Sequence, residues 1–232
     1  MPKMKDSQDH MQAEAPISDE AKAIVRAALM HVPFDGWGDE ALRAGAEDAG
    51  FDPDIVSRYF PGGALDAIAA HAALADDDMV AAFQALPSPP EKVHLMIRAL
   101  ILLRLEQASA NKEAIRRALA MLAVPSNAKL SAQILYRTVD AMWRAAGQRD
   151  TDFSFYTKRA TLAAVYSATM LAWIADTSGD MAATEAFLDR RLRDVSRIPK
   201  ASAPMKAAMN AGQQLAGRFA TIIGRQTAKR ER

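Results

Sequence analysis

Side chains that could ligate a metal or move a proton are few in this chain, and their spacing does not suit either task. There is no cysteine, which removes thiol nucleophiles, Cys-ligated zinc, iron–sulfur clusters and disulfide scaffolds together and fits a reducing compartment. The four histidines, His10, His31, His71 and His94, show no His-x-x-x-His spacing. Glu91 to His94 is the one Glu-x-x-His pair, and it lacks the second copy that a carboxylate-bridged di-iron bundle requires. A charged helix start with a partly buried imidazole is the simpler reading. Asp76-Asp77-Asp78 has the charge to hold a cation, but acids stabilising a helix N-terminus explain it more simply. Neither a Ser/His/Asp arrangement nor a Gly-rich phosphate or dinucleotide loop is present. These residues point away from an enzyme, and no metal or cofactor is expected.

What remains to carry function is apolar surface and charge. Of 232 residues, 50% are apolar, 25% charged and 6% aromatic, the composition of a folded, soluble chain with a sizeable core. Helical periodicity dominates and strand alternation is nowhere sustained, so the expected fold is all-α. Helices are expected over Ser18–Met30, Asp39–Ala49, Pro53–Phe60 and Gly63–Ala75, then, after the breaker Pro87 to Pro90, over Pro90–Ala108, Lys112–Leu122, Ser126–Ala146, Phe153–Ala175 and Met181–Arg197. A last helix follows from Met205 to Lys229. The implied organisation is a disordered start over 1–16, a helix-turn-helix-like head over 17–86, a larger bundle over 87–198, and a hinge with a basic helix over 199–232. The longest apolar stretch, Ala160 to Ala175, is 16 residues and includes Thr161, Ser167 and Thr169. At ~1.5 Å per residue it falls short of a ~30 Å hydrocarbon core and reads as a buried helix.

Charge separates the ends. Met1 to Pro199 holds 22 bases and 27 acids, whereas Lys200 to Arg232 holds 7 bases and 1 acid. The head segment Ala41 to Phe60 (ALRAGAEDAGFDPDIVSRYF) looks like the N-terminal domain of TetR-type regulators. Yet Asp35 to Asp66 carries eight acids against Arg43 and Arg58 alone, a net charge of −6. Lys and Arg supply most of the affinity for phosphates, so this head is expected not to bind nucleic acid.

The bundle helices carry more apolar faces than one seam needs, among them Leu95, Met96, Leu100, Leu103, Ile134, Leu135, Val139, Trp143, Leu162, Val165, Tyr166, Met170, Trp173, Phe187 and Leu188. They fit a filled core or, with the flexible Met96, Met121, Met142 and Met170, the lining of an adaptable cavity. In the tail, Met205, Met209, Leu215, Phe219, Ile222 and Ile223 follow 3-4 spacing, with Lys206, Arg218 and Arg225 off the stripe. That pattern is an amphipathic basic helix behind the hinge Ile198 to Pro204. It suits a membrane surface, a partner groove or its own bundle.

The stretch Asp150 to Val165 (DTDFSFYTKRATLAAV), continued by Tyr166-Ser167 and, beyond Trp173, by Ala186 to Leu192, resembles the ubiquinone-biosynthesis accessory family Coq nine. The head motif Gly50 to Gly63, with Tyr59-Phe60-Pro61-Gly62-Gly63, is similar to the same family, and the resemblance extends from about Ile17 to Arg232. It implies a TetR-like fold that has abandoned DNA, and a non-catalytic role: binding an isoprenoid or quinone-precursor lipid and presenting it to the di-iron demethoxyubiquinone hydroxylase, Coq seven. The lipid pocket then falls to Met96, Leu100, Leu103, Leu135, Val139, Leu162, Tyr166, Met170 and Trp173. Hydroxylase docking falls to Asp152, Phe155 and Tyr156 with neighbours Asp140 and Trp143. Contact with an anionic membrane falls to Met205, Met209, Leu215, Arg218, Phe219, Ile222, Ile223 and Arg225. A homodimer is expected, working at the inner face of a bacterial cytoplasmic membrane. The runner-up is a TetR-type, ligand-responsive repressor, and a third reading is an assembly scaffold.

Overall fold

Ser18 opens the first helix with an extended backbone, and its Oγ accepts the Ala21 amide at 3.2 Å. This satisfies one of the donors that every helix start leaves over. The computed structural model describes residues 17–147 and 154–197. Helix α1 (Asp19–Ala28) is followed by α2 (Val32–Asp35), α3 (Asp39–Asp48), a 3-10 turn at Pro53–Ile55, and α4 (Val56–Tyr59). Then come α5 (Ala64–Gln84), α6 (Val93–Gln107), α7 (Lys112–Leu122), α8 (Ala128–Ala145), α9 (Ser154–Ala175) and α10 (Ala182–Arg197). No strand occurs among the described residues.

Two sequence expectations change here. The first is a helix ending at Ala75 with Asp76 to Asp78 at the next N-terminus; in fact α5 runs unbroken to Gln84 and places the three acids in its middle. Partners make this tolerable: Asp76 faces Arg104 at 3.2 Å and Asp78 faces Arg26 at 2.8 Å, while Asp77 points to solvent. The second is His94, expected partly buried, which is exposed on the first turn of α6. One short element was not anticipated: α2, a single turn started by Pro33.

In the head, α1 crosses α3 so closely that only glycine fits at position 45. A Cβ there would stand 2.6 Å from the Ala28 backbone nitrogen. The Tyr59 to Gly63 motif is a turn into α5: Phe60 is buried, Gly63 has a φ of 63° that suits glycine, and the Gly62 amide donates to the Asp66 carboxylate at 2.6 Å. Ile24, Val25, Leu42, Phe60 and Ile68 form this core together with Ala114 and Ala118 of α7. Trp37 joins α7 as well, its indole N–H donating to the Ala114 carbonyl at 2.8 Å, and Arg117 donates to the Pro33 carbonyl at 2.8 Å. Beyond it, α5 packs on α6 and α8, and α8 on α9. The turn after α9 is held by Asp176, which accepts from the Thr184 amide at 3.1 Å and hydroxyl at 2.8 Å.

The chain divides into two units, Met1–Leu188 and Asp189–Arg232. In the second, Arg191 pairs with Asp194 at 3.1 Å, one turn on.

Candidate functional site

An apolar cavity of about 230 Å³ lies among α5, α6, α7, α8 and α9. Helical periodicity builds its wall: Ile68 and Ala72 of α5, Ile115, Leu119 and Leu122 of α7, Ile134 and Leu135 of α8, and Met170 of α9 line it, with the exposed Leu171 at its rim. Polar atoms enter from His71, Arg104, Ser131, Thr138, Tyr166 and Ser167.

The polar side is a buried charge network. Arg104 is the only charged residue in the run Ala99 to Leu105 (ALILLRL), so the periodicity that buries its neighbours buries it too. Its guanidinium faces Asp76 at 3.2 Å and also reaches the Ala72 carbonyl at 3.4 Å. The Thr138 hydroxyl contacts both Asp76 carboxylate oxygens, at 2.9 and 3.0 Å, and Arg137 approaches within 3.6 Å. Burial raises the Asp76 carboxyl above its ordinary value against the pull of Arg104, Thr138 and Arg137. Burial likewise raises the phenol of Tyr166. His71 is pushed down to about 4, first by burial and then by the Arg104 charge. An apolar hollow edged by a neutral imidazole and an internally paired cation can hold a largely apolar molecule with few polar atoms.

Of the residues that the family resemblance assigned to lipid, Leu135, Tyr166 and Met170 line this cavity. Leu100, Val139 and Leu162 are buried in the packing between helices, and Met96 and Leu103 are half-buried. Trp173 is buried and lines a separate cleft, where Lys112 stands 5.0 Å from its ring centre and donates to the Asp176 carbonyl. His71, Arg104, Asp76 and Thr138 were not singled out from sequence as a group. The lone Arg104 in an apolar run was the available signal, since a buried guanidinium demands a partner.

Of the residues assigned to docking, Asp140 is buried on α8 and held by Arg159 of α9 at 2.7 Å and Arg144 at 2.6 Å. Trp143 is half-buried. Phe155 and Tyr156 fall in the first turn of α9. Asp152 lies outside the described residues, as do Met205, Met209, Leu215, Arg218, Phe219, Ile222, Ile223 and Arg225. Among the described residues no three His, Asp or Glu side chains gather to hold a metal, and no helix is long and apolar enough to cross a membrane.

The family model for COQ9 matches residues 128–199, the stretch that supplies α8, α9 and the Asp140–Arg159 pair. A curated rat protein is 32% identical over 193 residues. Residues 128–199 thus resemble the COQ9 family domain. The rat relative bears the name ubiquinone biosynthesis protein COQ9, mitochondrial, and the match covers 79% of this chain and 61% of that protein. The human COQ9 relative is 30% identical over 190 residues, covering 79% and 60%. A fission yeast COQ9 relative is 29% identical over 185 residues, covering 78% and 72%. The chain thus spans about three-fifths of the rat and human proteins. Among solved structures, a TetR transcriptional regulator from Nitrosomonas europaea aligns with a TM-score of 0.59 at 24% identity, covering 77% of this chain and 99% of that one. The fold is TetR-like and all-α.

Proposed function

We propose that this protein is a non-catalytic lipid-binding accessory factor of ubiquinone biosynthesis. It takes an isoprenoid or quinone-precursor lipid into the cavity and presents it to the di-iron demethoxyubiquinone hydroxylase, Coq seven. The cavity of about 230 Å³, apolar and lined from five helices, carries the reading. The names of the COQ9 relatives supply the pathway.

The physical logic is transfer between phases. A polyprenyl tail gains ~25 cal/mol for each Å² of apolar surface kept from water, so it leaves a bilayer only for an equally apolar refuge. A cavity below the ~300 Å³ at which ligand pockets usually begin receives part of such a lipid, and the rest stays in contact with a membrane. The basic amphipathic tail, Met205 to Lys229, fits that contact, at the inner face of a bacterial cytoplasmic membrane. In this reading the region of Asp140, Trp143, Asp152, Phe155 and Tyr156 meets the hydroxylase, and two copies of the chain associate as a homodimer.

The head supports a role away from DNA. Arg43, one of only two bases between Asp35 and Asp66, is engaged by Asp54 at 2.8 Å, and that hydrogen bond raises its pKa further. The second reading, a ligand-responsive repressor, draws on the TetR-like neighbour. Mass spectrometry of lipid co-purifying with the protein separates the two. Isoprenoid or quinone precursor supports the accessory role. Its absence, together with nanomolar, sequence-dependent binding of duplex DNA, overturns it.

A further inference from the structure

Lys112, the first residue of α7, is half-buried, and among the described residues no carboxylate pairs with its ammonium. Its Nζ stands 5.0 Å from the centre of the Trp173 ring and donates to the Asp176 carbonyl. Trp173 and Asp176 both line a cleft of about 350 Å³ together with Lys112, so the ammonium belongs to the wall of that cleft. Arg116, Ile174, Thr177 and Met181 complete the part of the lining that matters here.

The acids nearby are already committed. One carboxylate oxygen of Asp176 accepts the Ser178 hydroxyl at 2.6 Å and amide at 2.9 Å, and the other accepts the Thr184 hydroxyl at 2.8 Å and amide at 3.1 Å. These bonds, led by the Ser178 hydroxyl, hold its carboxyl well below the usual carboxylate range. Asp180 accepts the Ala182 amide at 3.0 Å. Arg116 is exposed and shares Glu113 with Arg117, at 3.4 and 3.2 Å. One carboxylate between two guanidiniums leaves positive charge over.

Lys112 and Arg116 are one helical turn apart, so their side chains share a face of α7. The Trp173 ring holds the ammonium in place without neutralising it, and only one of its three N–H groups is taken by the Asp176 carbonyl. In the bundle cavity, by contrast, Arg104 is answered by Asp76. A group with several anionic oxygens suits the cleft, because it accepts from both cations at once. The volume exceeds the ~300 Å³ at which ligand pockets usually begin, and Ile174 and Met181 offer apolar wall to an organic remainder.

We propose that this cleft is an anion site that takes the phosphate group of an organic phosphate monoester between Lys112 and Arg116. It is separate from the bundle cavity and does not depend on the lipid-binding reading. The same donors serve a soluble phosphate and a lipid headgroup.

Calorimetric titration of the full chain with glycerol 3-phosphate, with dihexanoyl phosphatidic acid below micelle formation, and with glycerol tests the site. Both phosphates are expected to bind, and glycerol is not. Arg116→Gln and Lys112→Met should each weaken both phosphates about tenfold, and added salt should weaken them in the wild type. Lys112→Arg should recover part of the loss. Leu135→Trp, which fills the bundle cavity, should change neither, and the Thr177 and Gly179 amide NMR signals should shift with either phosphate. Tighter Arg116-dependent binding of the lipid marks a headgroup as the source, and equal binding a soluble phosphate. Arg116→Gln, at an exposed position, decides the matter if the Lys112 change loosens the turn. Neither phosphate bound by the wild type, or binding unchanged by Arg116→Gln, overturns the proposal. Binding lost only in Leu135→Trp overturns it too, by placing the ligand in the other cavity.

Discussion

Arg104 of α6, on the wall of the apolar cavity, and Asp76 of α5 meet at 3.2 Å inside the bundle, both more than 90% buried. The contact ties two helices together and keeps a cation at the cavity from attracting anions.

Removing one partner of this pair leaves the other charge buried alone. Arg104→Met is expected to cost about 3–5 kcal/mol, and the double variant with Asp76→Leu less than the sum of the two single changes. Urea unfolding of the three variants measures the coupling.

The helix period was readable along most of the chain because breakers such as Pro53, Gly63 and Pro125 stand at element ends. The exception was instructive. Asp76 to Asp78 read as a helix start because three adjacent acids favour that position, and only the long-range partners Arg104 and Arg26 allow them mid-helix. The cavity was legible only as a surplus of apolar faces. Periodicity tells which way Leu100 and Leu135 point, but not whether the facing side chains fill the space between them. His71 carries no sequence signal beyond its residue type, because lacking a partner is a property of three-dimensional packing.

A histidine held neutral makes stability depend on pH. His71 titrates at about 4 in the folded chain against 6.5 unfolded, so the unfolded state binds more protons below pH 6.5. Its contribution is present above pH 6.5 and is lost as pH falls towards 4, up to about 3 kcal/mol. Arg104 deepens the effect. The raised Asp76 carboxyl acts in the opposite sense over the acid range, and the raised Tyr166 phenol matters only in alkali. The His71→Phe variant should therefore lose less stability than wild type between pH 7 and 4.5, the difference isolating the imidazole. Parallel pH profiles would refute it.

Glycine to alanine inside a helix ordinarily stabilises by up to ~1 kcal/mol. At Gly45 the sign should reverse, because the new methyl meets the Ala28 backbone at 2.6 Å. Gly45→Ala is expected to cost about 1–3 kcal/mol by forcing α1 and α3 apart. Thermal melts report it.

The tail should bind anionic vesicles reversibly. Apolar Met205, Met209, Leu215, Phe219, Ile222 and Ile223 recur at 3-4 spacing in the sequence, and Arg218 and Arg225 would add up to about 1 kcal/mol each near anionic head groups. Flotation should fall with added salt and disappear in a chain ending at Pro199. Equal flotation of the two chains would place membrane contact elsewhere.

The cavity's occupancy is the centre of the account, and native mass spectrometry reads it most directly. With a short-chain prenylated quinone the wild-type protein should show one adduct per chain, and Leu135→Trp, which fills the cavity from α8, should lose it while keeping its cooperative melt. A one-to-one adduct of equal abundance in both proteins, or none in the wild type, would contradict the claim that this cavity holds the lipid.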